Sequence, residues 1–422
     1  MSLPFRPLTN PTALLTVGFV FYPRIENEKA IIDCIFLVLG QETICFYILR
    51  HEIWNIVIRR HASSYSKVTA NSCSLYKHGR FLRKAAGMRL IVSNFGSFVG
   101  KKSERLVVKE SGRIVTEVPF FKLEQVLITT PGASISSDVI RECALGGIPI
   151  TFLSYNGTPY AQIQSPHLQG TVQTRRAQML AYINKRGLIL ACAFAGGKIG
   201  NQINLLKYMA KYRKQADIKL YEKIQEQIGE ILKLQMALAN IEGINVDDAR
   251  QNILNIEGRS ANLYWQAISE ILPKEIGFAS REKRGASDLT NCLLNYGYGI
   301  LYSQVQIAII LAGLDPYAGF LHVDRPGKPS LVLDLIEEFR QPVVDRTVFG
   351  MLGHGAKWKV QEGMLDETTR LEVAEKILGR LDAKEFYQGK KYTLRTIIQR
   401  QARSVATFVR GEGKYRPFIA SW

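Results

Sequence analysis

The sequence predicts an α+β chain: a β-rich segment from Met88 to about residue 170, then a mainly α-helical segment to residue 422. Between 88 and 170, short apolar runs alternate with turn signals, the pattern of short strands. From Thr171 onward, apolar residues recur at helical spacing over long stretches. A change of composition near Met88 sets the first 87 residues apart from both.

The 422 residues are 46% hydrophobic, enough for sizeable cores in about two or three domains. The net charge of +18 suits a partner rich in phosphates. Six cysteines, at 34, 45, 73, 143, 192 and 292, form no CxxC pair. That argues against structural zinc and a disulfide framework, and fits a reducing compartment. No early stretch has the form of a signal peptide. The most apolar one, residues 30–40, contains Asp33 and is too short to cross a membrane.

Residues 11–58 are apolar but irregular, and 59–87 turn basic and Ser-rich. Eleven Lys/Arg and five Asp/Glu precede Met88, so the rest of the chain still carries +12. Residues 1–87 are therefore read as a leader outside the main protein, with translation expected to begin at Met88. The rival reading is a small accessory domain or a basic nucleic-acid arm.

Strands are expected at Arg89–Val92, Arg105–Val108, Arg113–Val118, Gln125–Thr129, Pro149–Leu153 and Tyr160–Ile163. Ser111-Gly112 and Asn156-Gly157 are hairpin-type breaks. Ser136-Ser137-Asp138 opens a helix that Gly146-Gly147 stops. No catalytic constellation stands in this segment, which reads as a scaffold or dimerisation domain.

In the helical segment, Val172–Ala195 reads as one long helix with Arg175 and Arg176 outward. Gly196-Gly197-Lys198 lacks the spacing and the Ser/Thr of a phosphate loop and reads as a turn between helices. Asn204–Gln215 and Lys219–Ala239 follow as charged helices. Glu257 is expected near the start of a helix through Trp265, where a carboxylate favours the helix dipole. Asp288 suits the N-cap of a buried helix carrying Asn291, Asn295, Tyr296 and Tyr298.

The stretch from Pro316 to Phe349 holds the most chemistry. His322 precedes a turn-rich run, Asp324 to Pro329, and a helix pattern starts at Ser330. Asp334, Glu337 and Glu338 lie three and four residues apart and are expected on one helix face. An imidazole beside clustered carboxylates suits Mn²⁺ or Mg²⁺, although the same pattern also describes an ordinary solvated helix. Residues 353–362, with His354, have no assigned role.

Several separated motifs then agree in order: E-G-x-x-A-x-x-Y-W at 257–265, D-x-x-N-x-x-L-N-Y-G-Y at 288–298, G-L-D-P-x-x-G-F-L-H at 313–322, and S-L-V-L-D-L-I-E-E-F-R-x-P-V-V-D-R at 330–346. Earlier stretches, V-x-E-V-P-F at 115–120 and Q-G-T-V-x-T-R-R-A-Q at 169–178, agree as well. From Met88 to about Phe418 the chain resembles the CRISPR-associated endonuclease/integrase family, the larger subunit of the spacer-acquisition machinery.

The resemblance implies an N-terminal β-sandwich at 88–170 and an α-helical, metal-dependent catalytic domain at 171–422. It places divalent-metal ligands on Glu257, His322 and Glu337, with Asp334 a further catalytic carboxylate and Glu338 a decoy. Mg²⁺ or Mn²⁺ is the expected cofactor. The implied reaction is attack of a DNA 3′-hydroxyl on a phosphodiester of a CRISPR array, or hydrolysis when water is the nucleophile. The implied partners are double-stranded and branched DNA, a second copy in a homodimer, and a small CRISPR-associated subunit ("Cas two") completing a heterohexamer. Arg175, Arg176, Arg259, Lys328 and Arg340 are the expected DNA contacts, and the setting is the prokaryotic cytoplasm. The alternatives are a general metal-dependent nuclease in DNA repair and a catalytically silent DNA-binding scaffold.

Overall fold

The structure, a computed structural model, describes residues 19–20, 25–27, 30–39, 42–49 and 52–60 by backbone alone. From 88 onward it describes all but 166–171, 212, 284, 354–357, 359, 362 and 422. His354 lies outside the described residues. The chain divides into two units, 1–83 and 84–422.

In the first unit, β1 (Phe19–Val20), β2 (Ile25–Asn27), β3 (Ala30–Leu39), β4 (Glu42–Leu49) and β5 (Glu52–Arg60) form one antiparallel sheet. The irregular apolar pattern had suggested no element there.

The second unit opens with a sandwich of two four-stranded sheets. One comprises β6 (Met88–Val92), β10 (Leu123–Ile128), β12 (Ile150–Leu153) and β13 (Pro159–Ile163). β6, β10 and β12 run parallel, and β13 is antiparallel to β12. The other sheet is a meander of β7 (Phe98–Lys102), β8 (Arg105–Glu110) and β9 (Arg113–Pro119), with β11 (Ser134–Ile135) beside β7. The sheets share a core of Val92, Val99, Leu106, Val108, Val126 and Ile128, closed by α1 (Ser137–Leu145) through Val139 and Cys143. Ser136 caps α1 by accepting the Val139 N–H, as its hydroxyl at the N-cap suggested.

β10 ties the sandwich to the helices. Alternation along a strand sends Val126 and Ile128 into the sandwich core and Leu127 into the helical core. The Ser154–Thr158 turn also reaches α7 (Leu289–Leu311). There a Cβ at Gly157 would stand 2.6 Å from the Tyr296 backbone, so only glycine permits the approach.

The helical part begins with α2 (Val172–Tyr182) and α3 (Lys185–Ala210), not one helix over 172–195. Asn184 breaks the run and caps α3 through its side chain. Gly196-Gly197-Lys198 is no turn; it lies in the middle of α3. A Cβ at Gly197 would sit 2.9 Å from both Glu338 Cγ and Pro417 Cβ, so this glycine serves close packing. After α4 (Arg213–Ala216) come α5 (Ile218–Ala239) and α6 (Val246–Ile271), which pack with α3. Asn245 and Asp248 form the capping box of α6, so Glu257 stands in mid-helix, not in a first turn.

α7 is buried along most of its length and capped by Asp288. α8 (Ser330–Ile336) starts where the sequence suggested. A wider, π-type turn follows at 340–345, where Pro342 has no N–H for a regular helix, and α9 (Arg346–Gly353) resumes. A short ladder of β14 (Val360–Gln361) and β15 (Met364–Leu365), α10 (Glu367–Asp382), the hairpin β16 (Lys384–Tyr387) and β17 (Lys390–Thr393), and α11 (Leu394–Val409) complete the unit. The observed class is α+β, a β-sandwich followed by a mainly helical part, as expected. Among the described residues no helix is long and apolar enough to cross a membrane.

Candidate metal centre

α3, α6 and α8 converge on one polar point. Lys198 on α3 bonds Glu257 on α6, and its Nζ lies 2.8 Å from Oε2 of Glu337, just past the end of α8. Arg340 Nε lies 3.0 Å from Oε1 of the same carboxylate, and its guanidinium sits 4.7 Å over the Tyr298 ring. Two cations thus balance two carboxylates. Burial would raise the Glu337 pKa, but Arg340, Lys198 and His322 outweigh it and hold Glu337 well below the usual carboxylate range. Burial would lower the Lys198 pKa, and Glu337 with Glu257 outweighs that too, keeping the ammonium charged. Glu337 Oε2 is buried and receives no aligned hydrogen bond.

His322 is positioned by Asp334. That carboxylate is fully buried and accepts backbone N–H bonds from Phe320 and Leu321 through Oδ2, at 2.6 and 3.0 Å. Its Oδ1 accepts the His322 N–H at 2.9 Å and lies 2.7 Å from the imidazole Nδ1. With Nδ1 turned to Asp334, Nε2 is the ring nitrogen left for a cation. The loop reaches this position because Gly319 lets the chain pass against Ser330, where a Cβ would meet it at 2.7 Å.

Below the site, Asp345 accepts hydrogen bonds from the hydroxyls of Tyr264, at 2.7 Å, and Tyr298. Tyr264 follows Glu257 by two helical turns and faces the same side of α6.

Two expectations change here. Asp334 is a positioning residue, since both its oxygens are engaged by the His322 loop. Glu338 does not share the face of Glu337. It turns to other partners, accepting from the Gln401 amide and the Phe418 N–H at 2.7 and 2.8 Å and from the Tyr415 hydroxyl. Adjacent helical residues lie about 100° apart, and the segment is buried on both sides.

The expected DNA contacts do not form one cluster. Arg340 is committed to Glu337 and Tyr298, which corrects its reading as a free phosphate contact. Lys328 lines a cavity of about 480 Å³ with Lys283, Tyr298 and Arg340. Arg176 and Arg259 are exposed on α2 and α6, and Arg175 is half-buried.

Among the described residues, no three His, Cys, Asp or Glu side chains stand already closed around a cation position. The Lys198 ammonium holds the place between the two carboxylates. The donor set still fits a hard divalent ion: two carboxylates, one without an aligned donor, and an imidazole with its outer nitrogen free. Lys198 itself was missed by the sequence reading, because a glycine pair resembles a turn. The helical recurrence of Leu190, Ala191 and Phe194 before it and Ile199 and Ile203 after it was the available signal.

Comparison with known proteins finds relatives over most of the chain. "CRISPR-associated endonuclease Cas1 1" of Archaeoglobus fulgidus is 39% identical over 348 residues, covering 79% of this chain and all of the relative. The protein of the same name from Francisella tularensis subsp. novicida is 35% identical, covering 79% of this chain and 99% of its own. In fold, the chain resembles a casposase bound to its integration product, with TM-score 0.66, 24% identity, and 78% and 93% of the two chains covered. It also resembles a CAS1 protein from Thermotoga maritima, with TM-score 0.60, 17% identity, and 78% and 100% covered. Residues 90–378 match the family described as CRISPR associated protein Cas1, and the chain belongs to that family.

Proposed function

We propose that the chain is a metal-dependent DNA endonuclease and integrase that inserts short DNA fragments into a CRISPR array in the cytoplasm of a prokaryotic cell. One observation carries the reading: Glu257 and Glu337, 80 residues apart, meet at a single ammonium beside an imidazole whose inner nitrogen is already held. The relatives' printed names, endonuclease and casposase with integration product, support it.

Glu257, Glu337 and His322 Nε2 would hold Mg²⁺ or Mn²⁺. When bound, the ion supplies Lewis acidity, relieving charge on the phosphate under attack and on the leaving oxygen. Asp334 keeps the imidazole turned so that Nε2 faces the site. Arg340 holds Glu337 ionised, ready to bind a cation. The Lys198 ammonium, once free of the carboxylates, is placed to meet a phosphate oxygen. Double-stranded and branched DNA are the proposed substrates. The assembly is a homodimer joined by a small Cas2-type subunit in a heterohexamer, consistent with a fold shared with a chain of a "Cas6-RT-Cas1--Cas2 complex".

The test is cleavage and strand transfer on branched DNA with Mn²⁺, comparing the parent chain with His322→Ala and Glu337→Ala. Both variants should lose at least about a hundredfold in product. Full activity in either purified variant refutes the assignment.

A further inference from the structure

Glu337 does not stand on a regular helix. It opens a turn at 337–339, between the end of α8 at Ile336 and the π-type turn that starts at Arg340. Glu337 and Phe339 donate their N–H groups three residues back, to the carbonyls of Asp334 and Ile336, at 3.3 and 2.9 Å. Bonds of this kind have poorer geometry than the four-residue bonds of an α-helix. The position of the Glu337 carboxylate therefore depends on what grips the turn from outside.

Asn201 and residues 415–420 supply that grip. Asn201 is fully buried on α3, about one helical turn after Lys198. Lys198 reaches the Glu337 side chain, and Asn201 donates through Nδ2 to the Glu338 carbonyl at 2.9 Å. The same Nδ2 donates to the Phe418 carbonyl at 2.9 Å, and Oδ1 accepts the Ala420 N–H at 2.8 Å. Residues 415–420 lie in no helix or strand and form a strap against α3, where Asn204 Nδ2 also donates to the Ala420 carbonyl at 2.8 Å. From the strap, the Phe418 N–H and the Tyr415 hydroxyl donate to the Glu338 carboxylate. The Phe418 ring stacks on Phe339, with 5.4 Å between centroids and 14° between planes.

The turn is thus pinned residue by residue. The Glu338 main chain is tied to α3, its side chain to the strap, and the Phe339 ring to Phe418. Both ends of the Asn201 amide are engaged, and a buried polar network satisfied in this way is rigid. Metal ligands tolerate displacements of only about 0.2 Å from their coordination distances. A carboxylate on a turn held from two sides meets that demand, and one on a loose turn does not.

We propose that Asn201 and the 415–420 strap form a clamp that sets the position of Glu337 for metal binding. Asn201 is a positioning residue, acting from inside the core through the Glu338 carbonyl. The proposal rests on the reading of Glu337 as a metal ligand, and its test separates the two.

Mn²⁺ affinity of the full chain is measured by calorimetry without DNA. Asn201→Ala and Phe418→Ala should each weaken it about tenfold, the lower end of the range for outer partners of metal ligands. The Mn²⁺ concentration for half-maximal strand transfer should rise by the same factor, with the rate at saturating Mn²⁺ near the parent's. Val108→Ala, in the sandwich core, lowers stability without reaching the clamp and should keep the parent's affinity. Equal weakening in Val108→Ala would reduce the effect to lost stability and overturn the proposal. So would parent affinity in folded Asn201→Ala and Phe418→Ala. If those two variants do not fold, Phe418→Leu decides, since it keeps an apolar side chain and removes the stacked ring. Weaker Mn²⁺ binding in it supports the clamp, and parent affinity overturns it. Glu337→Gln should lose Mn²⁺ binding. If it binds as the parent does, the metal-centre reading fails and the clamp falls with it. Loss in Glu337→Gln beside parent affinity in the clamp variants overturns the clamp alone.

Discussion

Lys198 Nζ lies 2.8 Å from Oε2 of Glu337 and also bonds Glu257, so an ammonium occupies the position between two carboxylates that the proposed chemistry assigns to a divalent ion. The chain carries its own counter-ion. Without it, the buried Glu337 and the half-buried Glu257 would face each other with only Arg340 to offset them.

Lys198→Met should therefore act oppositely on the metal-free and metal-bound protein. Losing one partner of a buried ion pair costs about 3 kcal/mol or more, so the metal-free variant should melt early. Mn²⁺ should raise its melting temperature by more than it does in the parent, because no ammonium competes for the carboxylates. Melting curves with EDTA and with Mn²⁺, plus direct Mn²⁺ titration, decide it. Weaker Mn²⁺ binding in the variant would show that Lys198 organises the site and does not compete for it.

Asp334→Asn should separate positioning from ligation. The carboxylate accepts three backbone N–H bonds and faces the imidazole, and an amide NH₂ turned to any of them opposes a donor with a donor. The expected loss is about 2 kcal/mol of stability or more. The imidazole would lose its fixed orientation, and metal affinity should fall about 10- to 100-fold while binding remains measurable. A variant with no detectable metal binding but parent stability would make Asp334 a ligand instead.

The sequence showed the alternation in the sandwich and the caps at Ser136 and Asp288 because those signals are local. It missed β7 and β11. Phe98–Lys102 carries a glycine and two lysines, and Ser134–Ile135 is only a two-residue strand held by backbone bonds. Motif order pointed to Glu257, His322 and Glu337, but spacing could not show what stands between them. Lys198 lies 59 residues before Glu257, and its role depends on α3 crossing α6. Nor could composition reveal that Gly197 is small because Glu338 and Pro417 press on it. Glu338, one residue from a proposed ligand, differs from it only in the direction it faces.

That direction gives Glu338 a pH signature of its own. Burial pushes its pKa up to about 7, although the Phe418 N–H, Tyr415 and Gln401 all donate to it. Between its ordinary 4.5 and about 7, the folded protein keeps a proton that the unfolded chain has released. Its contribution to stability is thus fully present below 4.5 and is lost as pH rises through 7. The span corresponds to on the order of 3 kcal/mol. Glu338→Gln should remove this dependence with little rearrangement. The amide oxygen can accept from Gln401 and Phe418, and its NH₂ can donate to the Tyr415 hydroxyl. Denaturant unfolding at several pH values should give the variant a flatter profile across that window and equal or greater stability above it. A profile that parallels the parent's at every pH would mean that Glu338 stays ionised in the folded protein.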